Sequence, residues 1–137
     1  MTSIREVQAR MDAQRVLEYG NRRFLLLLGQ AALYTRVTDH DSMRTQLARV
    51  LEVMRRPHVH VGVVPWNAAY TVPRNNAFTI YDGRLVTVAT YTAELNLTQG
   101  HEIGTYEKAF DRLLALAVRG AAAEELVEGA IVDQGES

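Results

Sequence analysis

The chain contains no cysteine among its 137 residues. That one absence excludes disulfides, thiolate metal sites and cysteine nucleophiles together. It also lacks an excess of either charge. Fifteen Lys and Arg stand against 16 Asp and Glu, for a net charge of −1. A domain that grips nucleic acid by itself carries a basic balance, so no direct nucleic-acid binding is expected. Long apolar runs are missing as well. Runs such as Phe24 to Leu28 fall far short of the ~20 residues a helix needs to span a bilayer, and no membrane contact is expected. Ile4 to Val16 mixes charged and apolar residues, unlike a secretory signal, so the expected location is the cytoplasm. Serines are few (Ser3, Ser42 and Ser137), and none lies in a nucleophile elbow. Phosphate-loop, dinucleotide and H-E-x-x-H patterns are absent, as is a pair of helices joined by a DNA-reading turn. The expectation is no cofactor and no metal.

What is present is ordinary globular material, 47% apolar and 23% charged. The length suits one core, and residues 1–137 read as a single domain. Ser3 and Glu6 have the spacing of a capping box, and Ile4, Val7, Met11, Val16 and Leu17 form a stripe. A first helix is expected to about Tyr19, ending at Gly20. Phe24 to Leu28 is short and apolar on both faces, as in a buried central strand. Gly29 then leads into a short helical piece, Gln30 to Tyr34. Thr38 to Ser42 offer N-caps for a helix whose Met43, Leu47, Val50, Leu51 and Met54 share a face, ending before Pro57.

Val59, Val61 and Val63 then alternate with His60 and Gly62, giving a strand that ends at Pro65. Trp66 to Asn76 shows no period and reads as a loop of functional length. Asp82-Gly83 is a type I′ hairpin signal between Ala77–Tyr81 and Arg84–Tyr91, and Glu94 to Leu97 suits a third strand. Tyr106, Phe110, Leu113, Leu114 and Ala117 mark a helix face; Gly120 separates it from a last helix, Ala121 to Ile131. Residues 132–137 read as a frayed tail. The order predicts an α+β fold, a small mixed or antiparallel sheet flanked by helices.

His58 and His60 share a strand face, and His40 is a conceivable third metal ligand, but no spacing places it beside them. The bland reading, two histidines on the solvent side of a strand, is preferred. Asp39-His40-Asp41 could orient a basic imidazole, yet helix capping already explains both acids. Arg22-Arg23 and Arg55-Arg56 read as solvated surface. Trp66 and Tyr70 in the loop, with Tyr81 and Tyr91 in the hairpin, are rings that can line a pocket or simply pack.

Several segments resemble a known family when taken in order. They are Arg10 to Gln14, Phe24 to Leu33, Met43 to Leu47, Val59 to Trp66, Phe78 to Asp82 and Tyr106 to Ala117. Together they are similar to the C-terminal domain of actinobacterial XRE-type, antitoxin-like transcriptional regulators. The resemblance implies a domain that senses a ligand or a small partner protein and that normally follows a helix-turn-helix. Here the module starts almost at Met1, so DNA binding does not carry over. The resemblance also implies an acid where this chain has Gln30, another where it has Ala89, and an arginine where it has Ala13. Gln30 can still exchange hydrogen bonds but holds no charge.

These features predict a regulatory binding domain. Its ligand-binding residues would be Gln30, Trp66, Tyr70, Tyr81 and Tyr91, and its ligand a small apolar or aromatic molecule or a small partner protein. A homodimer is expected, as for most small regulators. The alternative is a repurposed, cofactor-independent cyclase or isomerase that holds an apolar substrate in one reactive conformer in the same pocket.

Overall fold

The computed structural model describes residues 3–8, 22–34, 38–69, 77–90 and 92–135. Among these residues six strands, β1 (Ser3–Gln8), β2 (Arg23–Gly29), β3 (Val59–Val64), β4 (Phe78–Tyr81), β5 (Leu85–Ala89) and β6 (Glu94–Leu97), form one sheet in the order β3-β2-β1-β4-β5-β6. The first three are parallel, and β4 runs antiparallel to β1 and opens an antiparallel meander. Three helices among the described residues, α1 (His40–Met54), α2 (Gly100–Leu116) and α3 (Ala121–Gly135), flank it. This is the expected α+β fold with a mixed sheet.

Strand β2 explains the layering. Phe24, Leu26 and Leu28 point to one face, into the cluster with α1 and α3. Leu25 and Leu27 point to the other, where Phe110 and Leu113 of α2 pack. A strand buried on both sides cannot alternate apolar with polar, and the five-residue apolar run is the sequence trace of that position. Helix α1 forms where period and cap agree. Asp39 accepts from the Ser42 N–H at 2.9 Å, and Met43, Leu47, Val50 and Val53 bury one stripe. Ala123, Val127 and Ala130 give α3 a small-residue face against the same core.

Two tight places need glycine. Asp82 and Gly83 have φ of 53° and 68°, and the Arg84 N–H closes the turn on the Tyr81 carbonyl at 2.9 Å, the expected hairpin. At Gly62 a Cβ would meet Leu27 Cδ2 at 2.8 Å and Ala117 Cβ at 3.1 Å. That absence of a side chain lets the segment after α2 lie along β3, where Val63 and Val118 exchange backbone bonds of 2.9 Å each.

Two expectations are corrected. Ser3 to Gln8 is a strand, not the first turns of a helix. Its N–H and C=O groups are taken by β2 on one side and β4 on the other, with Ile4 opposite both Phe24 and Tyr81. Such ladder bonds outweigh a local capping pattern, and Ser3 instead donates its N–H to Asp82 Oδ1 at 2.7 Å. The remainder of the expected first helix, from residue 9 to Tyr19, lies outside the described residues. The second correction is at the C-terminal end. Helix α3 continues through Gly135 because Gln134 is buried and accepts from His40 Nδ1 at 2.8 Å.

Candidate functional site

The carboxyl ends of β2 and β3 lie side by side, with Gly29 opposite Val64. Immediately after β2, Gln30 opens a 3-10 turn, Gln30–Leu33. Its Oε1 accepts the Trp66 backbone N–H at 3.1 Å, joining the two strand exits. The Trp66 ring lies against Tyr34, centroids 5.0 Å apart and planes tilted by 39°. Below the rings, the Tyr34 hydroxyl donates to Asp133 Oδ2 of α3 at 2.7 Å. Burial, then the bond to Asp133 and its charge, push the Tyr34 pKa up to about 12. The phenol therefore stays protonated at neutral pH and serves as a donor rather than a base.

Trp66 is 59% exposed although it is a large apolar side chain. The corner thus presents an indole plate backed by a phenol, with the Gln30 amide and the Asp133 carboxylate at its margins. A flat apolar surface with a few polar groups suits an aromatic or apolar ligand. The bridge needs only an acceptor oxygen, which the uncharged Gln30 amide supplies.

The sheet register separates Tyr81 from this corner. Tyr81 sits level with Ile4 and Phe24, five residues before Gly29 and two strands away from β2. The gap is roughly 17 Å along the strands and about 10 Å across them. A single cleft holding Gln30, Trp66 and Tyr81 is therefore not formed, and the Tyr81 ring packs on the α1/α3 core instead. The hairpin runs antiparallel to β1, which carries its turn to the far end of the sheet. Tyr70 and Tyr91 lie outside the described residues, as does Ala13. Ala89 ends β5 at the same end of the sheet as Gln30 but three strands over, roughly 14 Å away.

Asp39 serves as the helix cap. Its carboxylate pKa is lowered by the Ser42 N–H and then the Ser42 hydroxyl. His60 is exposed on edge strand β3, and His40 is engaged with Gln134. Among the described residues, no three His, Asp or Glu side chains converge as a metal site requires. No helix there is long and apolar enough to cross a membrane. Arg55, of the second basic pair, meets Glu124 at 3.3 Å and Glu128 at 3.8 Å on α3.

Sequence reasoning missed Tyr34 and Asp133, because nothing local links a turn after β2 with the last turn of α3. It also missed Glu6, read as a capping acid. Glu6 is only 2% exposed, and its Oε1 accepts from the buried Thr79 hydroxyl at 3.0 Å. The only available signal was an acid two positions from Ile4 in a segment that also fits alternation.

No protein of curated function matches the sequence. A family model described as "Domain of unknown function (DUF5753)" matches residues 2–129. The match spans nearly all of the sheet and its helices, and the chain belongs to the DUF5753 family.

Proposed function

We propose that the chain is a binding domain of regulatory type, comparable to the sensing half of XRE-type transcriptional regulators, and that Trp66 is its contact plate. The ligand is a small apolar or aromatic molecule, or an aromatic side chain offered by a small partner protein. One observation carries this reading. The Gln30 amide anchors the backbone of Trp66 at 3.1 Å while 59% of the residue stays open. An exposed indole with a fixed backbone loses little freedom on binding, which favours affinity. The near-neutral charge supports a ligand other than nucleic acid.

The test uses protein purified from its host. Native mass spectrometry should find a retained molecule or partner chain, and Trp66→Ala should lose it while keeping the same circular dichroism. Trp66 is the only tryptophan, so adding the identified ligand back should shift the emission of the wild-type chain. Undiminished retention by Trp66→Ala would place binding elsewhere and end the proposal.

A further inference from the structure

The two edges of the sheet are treated differently. At β3 the edge is occupied, since Val63 exchanges two backbone bonds with Val118. At β6, among the described residues, no strand pairs with the outer side. Strand β6 has none of the usual guards beyond its shortness and Glu94. It carries no proline, lysine or bulge, and Leu95 is 48% exposed.

The outward backbone groups follow from the pairing. Ala89 donates its N–H to the Ala77 carbonyl, so the groups of Ala89 and Thr87 face β4 and those of Val88 and Val86 face β6. Leu95 and Leu97, opposite Val88 and Val86, spend their N–H and C=O on β5. Glu94 and Asn96 therefore turn theirs outward. Leu97 packs with the α2-side cluster, and Leu95, two residues away, shares its face.

We propose that this edge joins two copies of the chain, antiparallel about a two-fold axis at Asn96, into one continuous sheet. In that register Asn96 faces its own copy, Leu95 faces Leu97 of the other chain, and Glu94 faces Thr98. Residues opposite each other lie on one face, as the pleat demands. The leucines fall at the closer, non-hydrogen-bonded positions. Glu94 meets a hydroxyl rather than a second acid, and a net charge of −1 per chain imposes little repulsion. The short contact implies a dimer that dissociates on dilution.

Sedimentation of the full chain should give twice 15.4 kDa at high concentration and approach 15.4 kDa on dilution. Asn96→Pro removes an outward N–H without touching the bonds to β5, so it should stay folded and monomeric. Leu95→Lys leaves the backbone intact and should weaken the dimer about tenfold. The native chain has no cysteine, so Asn96→Cys under mild oxidation reads the register directly. At the two-fold axis its Cα atoms would be about 5.5 Å apart, within disulfide reach, and it should cross-link where Glu94→Cys does not. A wild-type chain monomeric at its highest soluble concentration overturns the proposal. So does a folded Asn96→Pro that dimerises like wild type, or cross-linking by Glu94→Cys but not Asn96→Cys.

Discussion

Strands β1 to β3 and strands β4 to β6 share one hydrogen-bonded ladder but meet their surroundings differently. In the parallel half, β2 and β3 pack against α1 and α3 on one side, and β2 also packs toward α2 on the other. The antiparallel half buries Phe78, Ile80, Val86 and Val88 under α2. Its opposite face is polar toward the edge, with Thr79, Thr87 and Asn96 in one row. Parallel strands need cover on both sides, whereas antiparallel ones tolerate a polar face. The central strand β2 is therefore closed on both faces. The second half keeps exposed groups available.

The sharpest way to break this contrast is to truncate one residue in each half. Phe24→Ala, at 0% exposed, should cost about 3–5 kcal/mol, the range for emptying a phenylalanine site. Leu95→Ala, half exposed on β6, should cost less than about 1 kcal/mol. Urea unfolding of the two variants at one protein concentration compares them directly. Similar losses would mean that β6 is held as tightly as the central strand.

A smaller effect sharpens the boundary between the halves, where β1 pairs with β4. Thr79→Val keeps the shape but deprives Glu6 of one buried donor, which should cost about 1–3 kcal/mol. Thr87→Val, directly opposite Thr79 on the next strand and only partly buried, should be nearly silent in the same denaturation assay.

The smallest effect belongs to the corner beyond β2. The Tyr34 hydroxyl is raised from the ordinary 10.0 to about 12. On unfolding it ionises near its ordinary value, so its contribution is complete below that pH. The contribution is then lost as the pH climbs from about 10 to 12. Unfolding midpoints measured across that window should fall less steeply for Tyr34→Phe than for wild type. Parallel slopes would show that the hydroxyl is neither buried nor bonded to Asp133 in solution.

Much of this architecture was legible from local pattern. Strand β2 announced itself as an apolar run, α1 through Asp39 and its buried stripe, and the hairpin through Asp82-Gly83. Trp66 stands out by type and loop position, whereas Gln30 stands out only through the family resemblance; the Gln30 side chain bonds the Trp66 backbone. Tyr81 was grouped with them because it is aromatic and follows the same loop. Its level in the sheet depends on antiparallel pairing with β1, which no window of sequence around Tyr81 contains. Tyr34 and Asp133 were invisible for the same reason, being 99 positions apart in the chain.

By itself the sequence determined those elements whose information is contained within one turn or one alternation: caps, stripes, tight turns and the absence of thiol chemistry. Only the tertiary structure decided that Ser3 to Gln8 is a strand, that α3 runs to Gly135, and that Trp66 stands on Tyr34 beside Gln30. The physical reason is that six residues of mixed pattern satisfy helix and strand alike until a neighbour supplies the hydrogen bonds. For β1 that supply comes from β2 and β4 at once, and for the end of α3 it comes from His40 and Tyr34.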